Sequence, residues 1–368
     1  MSDTFPLEQL RELLDQARQK DPEFKRFGAK RHQYQWNPPA SLEQIEELEK
    51  QIGVTLPEQY QQFLLRVADG GAGPFYGLYS LEQVKSWLTW PVEPELPPLF
   101  HPEDRDRNIG LLVWYYEEGE NWRRGCIPIG SQGDTYFTYL LVSGPHRGRV
   151  VYVEYEASWY FFPREPDFLS WYTRWLREAV AGYQSRWFAT ELDGDQQALR
   201  LHYRQADTDQ ERWLALASMG KLPELDQESK ELLEQAVWQW TDMEDARQML
   251  DLSRRVCPTL FHRLLEERWK KGLYPAVVQE ISYALLHFPE EKQALLRRWS
   301  PRVLQQLPRL PQESWWRAAR LLSQSGDIQL DQVFCRFPGA QGRVGLWLPA
   351  LSQRDDLKLL ETALRTVP

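Results

Sequence analysis

The chain has 368 residues, 42% of them hydrophobic and 26% charged, with a formal net charge of −9. That length is too great for one ordinary domain and implies two. No run of about 18 apolar residues occurs, which excludes a membrane-spanning helix. The three cysteines, Cys126, Cys257 and Cys335, are too few and too far apart for a disulfide framework or a zinc set.

The charge is uneven. Residues 1–185 carry about −8 of it and residues 186–368 about −1. An acidic first half repels nucleic acid and anionic lipid but attracts basic proteins. The N-terminal stretch MSDTFPLEQLRELLDQARQK is amphipathic and acid-bearing, unlike a signal peptide. Together with the unpaired cysteines this implies a cytoplasmic, reducing location.

Residues 5–20 form a first expected helix, with Leu7, Leu10, Leu14 and Ala17 in a narrow stripe. Residues 21–40 are mixed and loop-like, with Trp36 expected as a core plug. Ser41 and Gln44 then form a capping box, in which each side chain satisfies a backbone N–H of the first turn. Leu42, Ile45, Leu48 and Ile52 fall on one face, and Gly53 stands where a left-handed C-cap is needed. Thr55 and Glu58 repeat the capping pattern, with Pro57 fitting the first turn. Tyr60, Phe63, Leu64 and Val67 follow at helical spacing, and Asp69-Gly70-Gly71 stops the helix. Neither helix can bury its stripe alone, so a sheet must supply the other wall.

Phe75 to Tyr79 suggest a short strand, and Ser80 with Gln83 opens another small helix. Residues 91–105 are rich in proline and acid and imply a surface loop. Four apolar or alternating runs follow at 109–117, 125–132, 134–142 and 149–156, separated by glycine-bearing turns. That succession predicts an antiparallel meander. DFLSWYTRWLREAVAGY closes the domain as a helix with Phe168, Leu169, Tyr172, Trp175, Leu176 and Val180 inward. From about 187 strand signals nearly vanish. Helical segments recur between Pro, Gly or acidic breaks, as in stacked helix pairs, although without a strict period a compact bundle stays open. The expected fold is therefore an α+β domain over 1–185, an antiparallel sheet packed with helices, followed by an all-α domain over 186–368.

One pattern carries a resemblance. Leu48-Glu49, Ile52-Gly53, Leu56-Pro57, Tyr60, Phe63-Leu64 and Asp69-Gly70-Gly71 resemble the signature of the SUKH superfamily. Ile129-Gly130, Gly133-Asp134, Leu140 or Leu141, Gly148 and Val150 extend the likeness toward residue 180. Asp69 stands where the family commonly has Asn, a mild departure because both tolerate a left-handed turn. The family includes bacterial immunity proteins and a eukaryotic cell-wall regulator. The resemblance implies a bacterial immunity protein that neutralises a cognate toxin, often a nuclease, by sitting on it. The alternative it implies is a scaffold or adaptor. It says nothing of the second half.

The residues themselves offer little chemistry. The six histidines build no metal set, and His262 with Glu266 and Glu267 lacks a third ligand. No nucleophile elbow, zinc-protease, P-loop or dinucleotide motif occurs. Glu117, Glu118 and Glu120 beside Trp122, and the pair Glu154 and Glu156, are carboxylate pairs of the kind glycoside hydrolysis uses, but also of the kind any acidic protein shows at strand ends. We therefore expect no catalytic residues, no metal, no cofactor, no nucleic acid and no membrane partner. The expected partner is a protein, such as a basic nuclease toxin. The expected contact residues are Asp69, Trp90, Glu93, Glu95, Glu117, Glu118, Glu120 and Trp122, acidic and aromatic side chains on loops at the rim of the sheet and helix pair. That they serve only to solubilise the domain stays open. Among the 17 tryptophans, Trp87, Trp90 and Trp122 lie nearest turns and acidic loops and are the better candidates for exposure.

Overall fold

The computed structural model describes residues 5–96, 98–102, 121, 123–154, 159–185, 187–239, 252–254, 257–287 and 291–325. The chain divides into two compact units, Met1–Ser229 and Lys230–Pro368. The sequence of the first holds 36 acidic against 24 basic residues, and that of the second 17 against 20. The change of sequence texture near residue 186 and the junction of compact units at 229 are thus two different boundaries.

The first unit contains α1 (Leu7–Lys20), α2 (Ala29–His32), α3 (Leu42–Ile52), α4 (Glu58–Arg66) and α5 (Leu81–Trp87). Strands β1 (Cys126–Gly133), β2 (Tyr136–Leu141), β3 (Val150–Glu154) and β4 (Trp159–Phe161) follow, then α6 (Phe168–Val180), α7 (Gln196–Gln205) and α8 (Asp209–Met219). The strands lie in the order β1-β2-β3-β4, each pair antiparallel, as the meander reading anticipated. Two register shifts, at Pro128/Gly130 and Ser131/Gly133, bend β1.

Both faces of the sheet are buried, and the period-2 alternation of strand side chains sorts them. Ile127, Ile129, Leu140, Val150, Tyr152 and Phe161 face the helices. Cys126, Tyr139, Leu141, Val151, Val153, Tyr160 and Phe162 form a second apolar cluster with Phe100, against which Trp90 and Phe137 pack. This is why the strands read as continuous apolar runs. On the helical side Phe168 meets Tyr60 and Phe63 edge-on at 4.9 and 5.2 Å. The Trp36 indole donates to the Tyr172 hydroxyl, and that hydroxyl to the Ala72 carbonyl, both at 2.8 Å. Trp36 is the expected plug, partly buried against the core.

The boxes at Ser41 and Ser80 form with both reciprocal bonds. The one at Thr55 does not: α4 begins at Glu58 with Pro57 as its cap and no side-chain bond. The Glu49 carboxylate takes the Leu56 N–H at 2.7 Å, and Arg147 binds the Thr55 carbonyl and hydroxyl. Long-range partners therefore replace the local box. The strand expected at 75–79 is reduced to bridges from Leu78 to Gly71 and Gly130. Leu42 is exposed and lies off the buried stripe. The strand expected at 109–117 lies outside the described residues. β4, too short to give a period, is an addition to the expected set.

The second unit holds helices and turns and no strand among its described residues. α9 (Gln227–Gln239) runs across the junction, and α10 (Pro258–Lys270), α11 (Tyr274–His287), α12 (Lys292–Gln306) and α13 (Gln312–Ser323) follow. α10 packs on α11, α11 on α12, and α13 on both α11 and α12. Leu264, Val277, Ile281, Leu295, Trp299 and Leu321 form the interior of this stack. No helix among the described residues is long and apolar enough to cross a membrane.

Candidate protein-binding surface

The expected contact residues that are described, Asp69, Trp90, Glu93 and Glu95, fall around α5. At its start the Asp69 carboxylate accepts the Leu81 N–H at 2.7 Å, and the Asp69 carbonyl accepts from the Asn37 amide at 2.8 Å. Gly70 beside it has φ +81, and a Cβ there would stand 2.6 Å from the Ser80 nitrogen, so the turn requires glycine. Burial pushes the Asp69 carboxyl above its usual range, against the pull of the Leu81 N–H. Asp69 is thus a bracket between the Gly-Gly turn and α5, half-buried and already bonded.

At the other end of α5, Trp87 is 45% exposed. Its ring stacks on Tyr79, with centroids 6.3 Å apart and planes within 6°, and meets Phe137 edge-on at 5.4 Å. The loop that follows carries Trp90, Glu93, Glu95 and Leu96. Trp90 packs on Tyr139 at 6.4 Å, and the Arg123 guanidinium covers its outer face 4.6 Å from the ring centre. Glu93 accepts from the Asn121 amide at 2.8 Å, and the same amide donates to the Pro91 carbonyl at 2.6 Å. Gly125 closes the loop onto the Val92 carbonyl at 2.6 Å. Val92 is buried beneath, while Glu95 and Leu96 are exposed.

The structure therefore brings Trp90, Glu93 and Glu95 onto one pinned loop, with Trp87 and Leu96 beside them. It leaves Asp69 at the far end of α5. Glu117, Glu118, Glu120 and Trp122 lie outside the described residues. Sequence reading did not name Arg123, Asn121, Tyr79 or Phe137 as contact residues because their roles depend on pairing across distant segments. Next to the loop, α3 packs on α5, and Lys85 is ion-paired to Glu47, whose carboxyl that bond holds below its usual range. Glu43, Glu46 and Glu82 are exposed on the same two helices. An exposed Trp87 beside a half-buried Trp90, among carboxylates, is suited to gripping a protein surface.

Other chemistry-bearing groups are committed internally. Cys126 is buried, burial pushes its thiol up, and its Sγ donates to the Arg123 carbonyl. Glu266 is held by Arg298 and Arg302, each at 2.7 Å. Glu154 accepts from the Thr135 hydroxyl. Among the described residues no group of three or more His, Cys, Asp or Glu is placed to hold a metal ion.

Residues 39–174 match the family model of the SMI1 / KNR4 family (SUKH-1). The match spans α3 to the first half of α6, including the sheet, α5 and the loop after it. That family is generally non-catalytic. No curated protein and no solved structure matches the chain.

Proposed function

We propose, from the premise that the N-terminal part of this chain is a SUKH-1 domain, that the protein is a non-enzymatic cytoplasmic binder that neutralises a cognate bacterial toxin. The carrying observation is the rim after α5, where Trp87 and Trp90 stand among Glu93 and Glu95. It belongs to a unit whose acidic residues outnumber its basic ones by 36 to 24. Opposite charge on a basic toxin, such as a nuclease, speeds encounter and discourages wrong partners, while aromatic side chains supply the buried contact. The helical unit adds a second surface or holds the assembly. Co-expression with the protein encoded by the adjoining gene tests this. Rescue of growth and a complex recovered at low salt support the reading; absence of both overturns it.

A scaffold or adaptor role is the second reading. The successive packing of α10 to α13 favours it, because helical stacks present extended binding faces. Recovery of a partner by the helical unit alone, with no effect on toxin killing, would favour this reading over neutralisation.

A further inference from the structure

A loop fixed by several hydrogen bonds holds a phenylalanine exposed on the first unit. Asp21 closes the loop: its carboxylate accepts the Lys25 N–H at 2.7 Å, the Arg26 N–H at 3.1 Å and the Tyr34 hydroxyl at 2.9 Å. The Arg26 guanidinium donates to the carbonyls of Glu178 and Tyr183. Gly28 has φ +80, and a Cβ there would lie 1.7 Å from the Phe75 carbonyl oxygen. The loop is therefore pressed backbone against backbone onto the Phe75–Gly77 turn, and only glycine permits it.

In that frame Phe27 is 54% exposed, more than any other large apolar side chain among the described residues. Its ring lies 5.2 Å from Tyr76, and the Arg31 guanidinium stands 5.8 Å over that same tyrosine. Lys30 and Arg31 are exposed, and neither has a carboxylate partner among the described residues. Lys25 is paired with Glu23, and on the other side Tyr76 lies against Gly133, next to Asp134 in the chain. A flexible loop would fold such a ring onto the surface. Here the ring rests on Tyr76 and meets Phe75 edge-on at 6.5 Å while over half of it stays open, so it is preorganised for a partner.

We propose that Phe27, Tyr76, Lys30 and Arg31 dock an acidic peptide segment of a second protein, with an apolar side chain of that segment on the two rings and its carboxylates on the two cations. The sign is opposite to that of the unit as a whole, so this face and the acidic rim select different partners. Apart from Tyr76, these residues precede the matched stretch 39–174, so the face is not part of what the family match covers.

Fluorescence anisotropy of the full chain tests this, with a labelled peptide of Glu-Glu-Phe-Glu repeats, its Lys-Lys-Phe-Lys counterpart and a single-stranded oligothymidylate. The acidic peptide is expected to bind, to weaken as salt rises, and to lose about tenfold or more in affinity with Phe27→Ser or with Lys30→Glu plus Arg31→Glu. Hydrogen–deuterium exchange on the unsubstituted chain is expected to show peptide-dependent protection of residues 24–31, a readout that needs no variant to fold. Absence of binding, equal binding by both variants, protection elsewhere, or a preference for the basic peptide overturns the proposal. Tighter binding of the oligothymidylate at the same residues would assign the face to nucleic acid instead and overturn it as well.

Discussion

Lys221 reaches Glu178 across 43 residues of chain, its ammonium 2.6 Å from Oε1. Arg174 holds the same oxygen at 2.9 Å and binds Glu165 at 2.7 Å and the Glu191 carbonyl at 2.7 Å. The Lys221 ammonium also donates to the Leu192 carbonyl, and the Leu192 N–H donates to Ser218 at 2.8 Å. Burial works against the charge on both cations. Glu178 and Glu165 hold Arg174 above its usual value, while Lys221 stays below its own. This network fastens α6 to the segment at 183–193 and to the end of α8, which explains why the first compact unit runs to residue 229.

Removing one partner of such a network leaves a charge without compensation in a dry place. Arg174→Met is expected to lower stability by about 3–5 kcal/mol, and Lys221→Met by less, because Arg174 remains on Glu178. Urea unfolding measures both. A fragment ending at residue 185 loses Ser218, Lys221 and Glu191 and is expected to unfold at lower urea than one ending at 229. Equal midpoints would show that the network does not hold the unit together.

His32 gives the first unit a dependence on pH. It is buried between Tyr34 and Trp175, with ring centres 5.2 and 5.8 Å away, and its Nδ1 accepts the Tyr34 N–H at 3.0 Å. Burial lowers its pKa from 6.5 to about 4, against the pull of Asp21. The unfolded chain therefore takes up this proton first. The contribution of His32 is intact above pH 6.5 and is lost as pH falls toward 4, by up to about 3 kcal/mol. His32→Leu is expected to flatten the pH dependence of the urea midpoint across that window, at a cost of about 1 kcal/mol at neutral pH for the lost acceptor.

Asp69 is expected to matter for folding. An amide oxygen can accept the Leu81 N–H as a carboxylate does, so Asp69→Asn should leave the melting temperature within a few degrees of the parent. Because burial raises the Asp69 carboxyl, the charged form is a burden that Asn removes. Asp69→Ala orphans the Leu81 N–H and should lose about 1–2 kcal/mol. Toxin binding by Asp69→Asn equal to that of the parent would separate this bracket from the contact surface.

Trp87 and Glu95, both exposed, carry the opposite expectation. Trp87→Ala should weaken a toxin complex by about 2 kcal/mol with little change in melting temperature. Glu95→Lys should slow association, and more at low salt than at high. Surface plasmon resonance with the isolated toxin reads both. Unchanged rates with both variants would move the contact away from this rim.

What the sequence made legible was local. The box at Ser41 concerns residues three apart and formed as read, and Ser80 with Gln83 opens the helix expected there, through a box of the same kind. The one at Thr55 has the same spacing, but Arg147 binds its hydroxyl and carbonyl from 92 residues away, a competitor not visible within a window of a few residues. β1, β2 and β3 announced themselves because burial on both faces removes polar positions. The charged pair on α6 was hidden for the converse reason: Arg174 and Glu178 look like an outer helix face until Lys221 arrives from far downstream. Of the expected contact residues, Trp90, Glu93 and Glu95 are close in sequence and so share a loop, whereas the bond from Asp69 to the Leu81 N–H joins residues twelve apart and could not be read from composition. Phe27 drew no notice, since a phenylalanine in a mixed loop is ordinary until the glycine beside it is seen to fix its direction.

The sorting of charge between the two compact units has a practical corollary. Taken as separate polypeptides, the first would be strongly anionic and the second weakly cationic, and at neutral pH the two would travel toward opposite electrodes. The isoelectric point of about 5.4 for the whole chain is an average that describes neither piece, and buffers or resins chosen by it would suit only half of the molecule.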